Sequence, residues 1–132
     1  MLLRQPTRRA RDLERAQVPG QPGVYLWRRD DAAMYVGTAS NLGGRLWSKH
    51  LGVGLSLAGS SLRRNVCELL FNIPPTVTSN PSRQKVTKAQ ADAIRAWLYG
   101  CELSWQTCQT PEEARALETR LRAAYMPPLN RI

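Results

Sequence analysis

The stretch PGVYLWRRDDAAMYVGTASNLGGRL, residues 22–46, decides how this chain begins to fold. Two runs rich in β-branched and aromatic residues, at positions 24–27 and 34–36, flank a polar segment at 28–33, which is the pattern of a β-hairpin. A helix from Leu42 to about residue 51 follows two polar residues that can cap it. The stretch therefore predicts two antiparallel strands, a polar turn and a helix.

Two tyrosines stand ten residues apart across this predicted hairpin. Tyr25 and Tyr35 lie opposite each other on one face of the sheet if the turn centres near Asp30. The two phenols then either share a site or pack as ordinary strand residues, since tyrosine is favoured in strands. A one-residue change of register would separate them.

The helix after the hairpin carries two cations four residues apart. In an α-helix, Arg45 and Lys49 project from one stripe, close to the end of the second strand. This stripe is a candidate phosphate-binding surface.

The rest of the chain predicts three more helices and one more strand. Apolar residues recur at helical spacing in segments 62–70 and 94–98, and the second of these helices has a capping-box sequence at its start. Residues 102–108 alternate as a half-buried strand does. A second capping box at Thr110 begins the last helix, which ends near residue 126. This order predicts an α+β domain with a small antiparallel or mixed sheet.

Glu118 stands beside the apolar stripe of the last helix, so its carboxylate is expected at the edge of the core. Two interpretations stay open. The carboxylate is either a metal ligand that faces a basic cleft or a surface group paired with Arg115 or Arg122.

The charge balance points to a polyanionic partner. The 132 residues include 19 Lys and Arg against 10 Asp and Glu, a formal net charge of +9, and 42% are hydrophobic, enough for one core. Between Ala32 and Ala91 the single acidic residue is Glu68. We therefore expect a positive face that binds nucleic acid through its phosphates, the alternative being an ordinary solvated surface.

Residues 1–19 carry five arginines and few apolar residues. We expect a basic N-terminal arm or a loosely docked helix, which either contacts nucleic acid or is a solvated, partly disordered terminus, ahead of a domain at 20–132. The opening residues lack the continuous apolar core of an export signal, and no apolar run reaches the ~18 residues of a membrane span.

The cysteines indicate a reducing compartment. There are three, Cys67, Cys101 and Cys108, without CxxC spacing, which is typical of reduced thiols in a cytoplasmic protein. His50 is the single histidine, which disfavours a Cys/His zinc site.

Several of these residues taken together resemble the GIY-YIG nuclease superfamily. An arginine follows the glycine of YVG by eight residues, and in the ending LETRLRAAYMPPLN, residues 117–130, an asparagine follows the glutamate by twelve. That ending is similar to the repair-nuclease branch. Valine replaces isoleucine in both halves of the family name, which keeps a β-branched residue. The matching residues are Gly23, Val24, Tyr25, Tyr35, Val36, Gly37, Arg45, Glu118 and Asn130.

The resemblance implies a three-stranded antiparallel sheet flanked by helices, with the active site on one face. It implies one divalent metal, Mg²⁺ or Mn²⁺, held by Glu118, and a water activated by Tyr25 or Tyr35. Arg45 would steady the phosphate, and Asn130 would fix the site by hydrogen bonds. One carboxylate suffices for Mg²⁺, because this ion keeps several waters and binds substrate oxygens.

Two features of the sequence depart from the family or vary within it. Many relatives have a lysine directly after the second motif, where this chain has Thr38, so Lys49 or His50 is a candidate for the missing cation, unless His50 is a surface residue. Arg63 and Arg64 are predicted to contact nucleic acid on charge alone.

The resemblance thus implies a metal-dependent DNA endonuclease that hydrolyses phosphodiester bonds in DNA repair, mobile-element or phage-defence work. Two alternatives stay open: a non-catalytic nucleic-acid-binding module, and a structure-selective or RNA-directed nuclease. No second DNA-reading domain is recognisable in the sequence. Specificity would then come from the domain itself, the basic arm, an oligomer or a partner protein.

Overall fold

One antiparallel sheet organises the protein. The structure, a computed structural model, describes residues 8–51, 54–79, 86–125 and 127–130, and at positions 48 and 49 the backbone alone. The four strands are β1 (Arg8–Arg9), β2 (Gly23–Arg29), β3 (Ala32–Ala39) and β4 (Glu102–Thr107), in the spatial order β1-β4-β2-β3. The α+β class is confirmed. The sheet has four strands where three were expected, because the short β1 adds to the outer side of β4.

The hairpin turn is tighter than predicted. Asp30 and Asp31 have φ values of 52° and 65°. Two consecutive residues with positive φ are the mark of a type I′ turn, whose twist matches that of the flanking strands. The strands therefore continue to Arg29 and Ala32, directly beside the turn.

A β-bulge interrupts the hairpin two residues from the turn. Arg28 pairs with Ala33, but the next residue back, Trp27, pairs with Tyr35. Met34 is thus an extra residue in β3, and it shifts the register of everything beyond it by one.

Five helices surround the sheet. The first, α1 (residues 42–50), starts as an α-helical turn over Leu42–Gly44 and continues with π-helical hydrogen bonding over Arg45–His50. The short α3 was not predicted and begins at a proline, which fits a first helical turn because its missing N–H needs no partner there. The other helices are α2 (Ser61–Phe71), α3 (Pro75–Thr78), α4 (Lys88–Tyr99) and α5 (Pro111–Tyr125).

Side-chain caps begin the two later helices, as predicted. Thr87 and Gln90 form the complete capping box of α4, each side chain bonded to the other residue's backbone. At the start of α5, Thr110 Oγ1 accepts from the backbone of Glu113, whose own carboxylate accepts from Gln109 N rather than from the threonine.

The sheet separates two layers of side chains. On one face, residues of β2 and β3 pack against α5, and on the other face they pack against α1, α2 and α4. The α5 face contains Val24, Leu26, Val36, Ala114 and Leu121. The opposite face includes Tyr25, Trp27, Tyr35, Leu46, Val66, Ile94 and Leu103.

The described part of the predicted arm, residues 8–19, is docked rather than free. Ala10, Leu13 and Val18 are buried in the core, and Ala10 N donates to the carbonyl of Cys101 at 2.9 Å. Three apolar residues are few, but their positions along 3-10 turns and extended backbone bring each one to the core. Residues 1–7 lie outside the described residues, and the division of the chain at position 19 stays a prediction.

Two further findings concern membrane-spanning helices and the pairing of the cysteines. Among the described residues, no helix combines the length and the apolar character needed to cross a membrane. All three cysteines are free, with Cys67 and Cys101 buried, which agrees with the expectation of unpaired thiols.

Candidate active site

The bulge at Met34 decides that the two tyrosines share a site. Without it, the two-residue turn would leave the strands one residue out of their present register, and Tyr35 would point to the opposite face. With it, Tyr25 pairs with Gly37 and Tyr35 with Trp27, so all three rings lie on one face. The tyrosines are diagonal neighbours rather than directly opposite, with ring centroids 6.3 Å apart and 26° between the ring planes.

The two motif glycines are required by close approach. A Cβ on Gly37 would overlap the ring carbon Cζ and the hydroxyl oxygen of Tyr25, which cross directly above it. A Cβ on Gly23 would overlap the carbonyl oxygen of Gln106 and lie 2.6 Å from Leu42 Cδ1. Gly37 therefore makes the space in which the Tyr25 hydroxyl sits, and Gly23 lets β2, β4 and α1 meet.

The π-helical part of α1 changes which residues share a side of the helix. Its hydrogen bonds join residues five apart, as from Leu51 N to Leu46 O at 2.7 Å. Hydrogen bonding of this kind brings residue 50, as well as residue 49, to the side of the helix that carries residue 45. His50 thus accompanies Arg45, and the pairing of Arg45 with Lys49 stays a prediction. The Lys49 side chain lies outside the described part of the chain.

A buried polar network connects both tyrosines to the start of α2. Tyr25 Oη is 2.5 Å from His50 Nε2, and His50 Nδ1 is 2.7 Å from Ser60 Oγ. Tyr35 Oη is 2.7 Å from Ser61 Oγ. Ser60 also caps α2 by accepting a backbone N–H of its first turn. Ser61 thus holds Tyr35 directly, and Ser60 holds Tyr25 through His50. No role was predicted for either serine from the sequence.

His50 is neutral in this environment. Its ring is fully buried, and burial, followed by the charges of Arg45 and Arg63, lowers its pKa to about 3. The expectation that His50 supplies a cation or contacts nucleic acid is therefore wrong. A buried, uncharged imidazole is instead a hydrogen-bond partner that can accept a proton.

Tyr25 is held in its protonated form. Burial is the largest cause of its raised pKa, and the nearby Tyr35 adds to the effect. The charge of Arg45 and its hydrogen bond to the phenol oppose this, while the charge of Glu118 raises the pKa further. Arg45 and Glu118 thus both lie within electrostatic range of one phenol.

Glu118 lies at the edge of the core, as predicted. Its side chain is 21% exposed, and its Oε1 is 3.5 Å from Nη1 of Arg122 one turn along α5. Arg115 pairs with Glu112 instead, at 3.3 Å. The predicted pairing with Arg122 is confirmed, the charge of Glu118 also acts on Tyr25, and the metal-ligand interpretation stays a prediction.

The donor set of the site suits a hard cation that keeps its waters. Within the described residues, no three His, Cys, Asp or Glu side chains gather as a metal cluster. A zinc site would need three or four such ligands, whereas Mg²⁺ is commonly held by one or two carboxylates with waters and phosphate oxygens. Glu118 fits the second kind of site.

Asn130 holds the outer edge of β3. Its Oδ1 accepts from Val36 N and its Nδ2 donates to Val36 O, both at 2.7 Å, so the side chain imitates a neighbouring strand. Leu129 N donates to the carbonyl of Met34 at 2.9 Å. Asn130 therefore positions the strand that carries Tyr35, in line with the expected hydrogen-bonding role.

The arginines at the start of α2 bind the preceding loop. Arg63, 4% exposed, donates to the carbonyl of Gly54 at 2.7 Å, and Arg64 donates to the carbonyl of Ala58 at 2.5 Å. The predicted nucleic-acid contact is wrong for Arg63, because its guanidinium donates to backbone carbonyls of the preceding loop. For the half-buried Arg64 it stays a prediction.

A groove of about 490 Å³ opens beside the tyrosine site, between the β3–α1 connection and the first turns of α5. Thr38, the residue directly after Gly37, is part of its wall. The lining residues are Thr38, Ala39, Ser40, Asn41, Gly44, Arg45, Pro111 and Arg115.

Known proteins resemble this chain in sequence and in fold. The family model of the GIY-YIG catalytic domain matches residues 9–131. No curated protein is a match. The fold is similar to the crystal structure of the GIY-YIG N-terminal endonuclease domain of UvrC from Thermotoga maritima bound to its catalytic divalent cation, magnesium. The two chains are 22% identical, the match covers 89% of this chain and 91% of that chain, and the TM-score is 0.50.

Two point mutants of the same Thermotoga maritima domain, each bound to the catalytic divalent cation, match less well. One replaces an asparagine by alanine and the other a tyrosine by phenylalanine. Both are 19% identical to this chain over the same shares, with a TM-score of 0.49. At such identities the likeness to solved structures concerns the fold.

Proposed function

Because the chain belongs to the GIY-YIG catalytic domain family, we propose that it is a metal-dependent endonuclease that hydrolyses phosphodiester bonds in DNA. One observation carries the proposal: the charges of Arg45 and Glu118 both act on the phenol of Tyr25, whose hydroxyl is 2.5 Å from Nε2 of His50. These residues come from β2, α1 and α5, so only the tertiary fold unites them.

Glu118 is the residue that would hold the metal, Mg²⁺ or Mn²⁺. It is the carboxylate whose charge reaches Tyr25, and it is half-buried at the edge of the core. When bound, the ion would polarise a phosphoryl oxygen and stabilise the leaving alkoxide. With a single carboxylate, metal affinity in the absence of nucleic acid is expected to be weak.

Arg45 is the proposed phosphate clamp. The side chain of Arg45 lines the groove. Its Nε is buried and has no hydrogen-bond partner among the described residues. A buried donor without a partner is costly and rare, so a phosphate oxygen that accepts from it would be bound strongly. The guanidinium then offsets the negative charge that grows on the phosphoryl group in the transition state.

Tyr25 is the proposed proton acceptor for the attacking water. Since its pKa is raised, it does not ionise first. It takes the water proton on its oxygen while its own proton moves to Nε2 of His50, 2.5 Å away. Without substrate, burial and the charges of Arg45 and Arg63 keep His50 neutral; the negative charge of a bound phosphate opposes those two charges and would raise the pKa of His50, so that it can hold the proton during the reaction. Tyr35, bonded to Ser61, keeps the first ring in place.

The nucleic-acid partner, the compartment and the pathway remain expectations from composition and resemblance. The net charge of +9 favours DNA as the polyanion, and the free cysteines suit the cytoplasm. DNA repair, mobile-element and phage-defence work, and an oligomer or partner that adds specificity, remain expectations from the resemblance.

The test is cleavage of supercoiled plasmid with Mg²⁺ or Mn²⁺, with the protein beside its Glu118→Ala variant. We expect nicking by the unaltered protein and a loss of at least about 10²-fold in the variant, with DNA binding by mobility shift nearly unchanged. Asp92→Ala, at an exposed carboxylate of α4, is the matched control and should cut normally.

Persistent cutting by Glu118→Ala would refute its metal role. A plasmid that stays supercoiled with either metal would refute catalysis, and salt-sensitive binding in that case would support the binding-module alternative. Duplex, branched, single-stranded and RNA substrates compared at equal concentration would identify a structure-selective or RNA-directed nuclease.

A further inference from the structure

The groove beside the tyrosine site extends away from the proposed catalytic centre along α5. One wall is the β3–α1 connection, residues 38–41, continued by Gly44 and Arg45. The other wall is the start of α5, with Pro111 and Arg115. Arg45 belongs to both the groove and the catalytic centre, so the groove leads directly to the proposed site of cleavage.

Arg115 and Glu118 lie three residues apart on α5, and residues at this spacing are neighbours on one helix face. Glu118 faces the tyrosine site, and Arg115 lines the groove one step nearer the start of the helix. A strand with its scissile phosphate at Arg45 would therefore place an adjacent phosphate near Arg115.

The opposite wall leaves room for such a strand. Four of its residues have small side chains, which fill little of the groove. These are Thr38, Ala39, Ser40 and Gly44.

The Arg115 guanidinium is free to turn toward a ligand. Its side chain is 63% exposed, and its partner Glu112 is 74% exposed at a distance of 3.3 Å. Exposed pairs of this kind contribute little to stability. A phosphate offers two oxygens to the planar guanidinium, which is a stronger interaction than the single contact with Glu112.

We infer that Arg115 binds the phosphate next to the scissile one and so holds the substrate strand in the groove. The inference rests on the proposed function. In this role Arg115 is a positioning residue: it contributes to substrate binding and leaves the chemical step to the tyrosine site.

Cleavage of a short duplex should be measured for Arg115→Ala, Arg115→Lys and a matched control, Arg120→Ala. Arg120 is an exposed arginine of the same helix that does not line the groove, so both alanine variants lose one positive charge. We expect Arg115→Ala to raise KM about tenfold with kcat nearly unchanged. Arg115→Lys keeps the positive charge but not the planar guanidinium with its two parallel donors. Its KM should lie between those of the unaltered protein and Arg115→Ala.

Salt dependence supplies the second readout. Anisotropy titrations in a Glu118→Ala background measure binding without turnover. There, Arg115→Ala should lower the slope of log affinity against log salt by about 1, because one phosphate contact is lost. Arg120→Ala should leave the slope unchanged.

Equal effects of Arg115→Ala and Arg120→Ala would overturn the inference, since they would reflect net charge alone. A fall in kcat without a change in KM would overturn it too. If the unaltered protein cuts nothing, the proposed function fails, but a selective loss of affinity and slope in Arg115→Ala would still support the groove as the nucleic-acid site.

Discussion

The two faces of strand β2 differ in kind although they alternate residue by residue. Val24 and Leu26 point toward α5 and join an apolar cluster. Tyr25 and Trp27 point the other way, where the Tyr25 hydroxyl meets a buried imidazole. The difference shows that one strand can supply packing on one side and a reactive site on the other. Changes on the two sides should therefore separate stability from activity.

The buried hydroxyls and the imidazole on the tyrosine side of the sheet are tolerated because each has a hydrogen-bond partner. A buried hydroxyl or imidazole without a hydrogen bond would cost about 1–3 kcal/mol. Tyr25, His50 and Ser60 form one chain of contacts, and Tyr35 and Ser61 form another. The network lies inside an apolar cluster that includes Trp27, Leu46, Val66, Ile94 and Leu103.

The largest expected effect comes from filling the space above Gly37. In Gly37→Ala, the new methyl group would overlap the Tyr25 ring, which must tilt away from His50. A shift of about 1 Å can cost about 10²-fold in rate, so we expect plasmid cleavage to fall by at least this factor. Overpacking should also destabilise the fold by about 1–3 kcal/mol in urea denaturation.

Gly54→Ala is the matched control, because a Cβ at this exposed position meets nothing within 4 Å. It should cut at the normal rate. Normal activity of Gly37→Ala would show that the position of the Tyr25 hydroxyl does not matter for the reaction.

The apolar side should behave in the opposite way. Leu26 is 2% exposed and packs under α5, so Leu26→Ala should lower the free energy of unfolding by about 2–5 kcal/mol. The rate of cleavage per folded molecule should fall much less than in Gly37→Ala, because Leu26 faces away from Tyr25 and acts on the site only through α5, the helix that carries Glu118. Urea denaturation and active-site-normalised cleavage together check this, and Leu69→Ala, at a residue 55% exposed, should change stability by no more than about 0.5 kcal/mol.

A fall in the cleavage rate per folded molecule of Leu26→Ala as large as the fall in Gly37→Ala would contradict the separation of the two faces.

The third effect is a dependence of stability on pH that belongs to the tyrosine side of the sheet, and it is the smallest of the three close to neutral pH. Burial lowers the pKa of His50 to about 3, below the usual 6.5 of the unfolded chain. As the pH falls from 6.5 toward 3, the unfolded state binds a proton that the native state does not. Stability is therefore lost over this window, by at most about 1.4 kcal/mol per pH unit.

His50→Gln should lack this part of the slope, while the carboxylates contribute equally to both proteins. His50 is the single histidine, so the difference between the two denaturation series isolates it. Identical slopes would mean that the imidazole is accessible to protons in the native state.

The hairpin was predictable because its signals are local. Alternation, the polar turn and the glycines of both motifs can be recognised in one stretch of sequence, and the shared face of Tyr25 and Tyr35 was predicted on this basis. The bulge at Met34, which puts the two tyrosines on that face, was not predicted. A bulge depends on strand pairing and here also on the hydrogen bond from Leu129 N to the carbonyl of Met34.

The errors lie where tertiary contacts decide. Nothing in the sequence distinguishes a π-helical turn from an α-helix, so the position of His50 beside Arg45 was not predicted. Charge predicted exposure for Arg63, yet loop carbonyls bind its guanidinium. Ser60 had a usable signal, a serine just before a helical segment, but its second role depends on His50.

The central claim is that Glu118 holds a metal beside the hairpin tyrosines, and paramagnetic broadening by Mn²⁺ tests it most directly. With ring-labelled tyrosine, the NMR signals of the four tyrosines report their distances to the ion: Tyr25, Tyr35, Tyr99 and Tyr125. We predict that Tyr25 and Tyr35 broaden first. Tyr125, about 10 Å along α5 from Glu118, should broaden later, Tyr99 of α4 least, and Glu118→Ala should remove the effect. Equal broadening of all four rings, or unchanged broadening in Glu118→Ala, would contradict the claim.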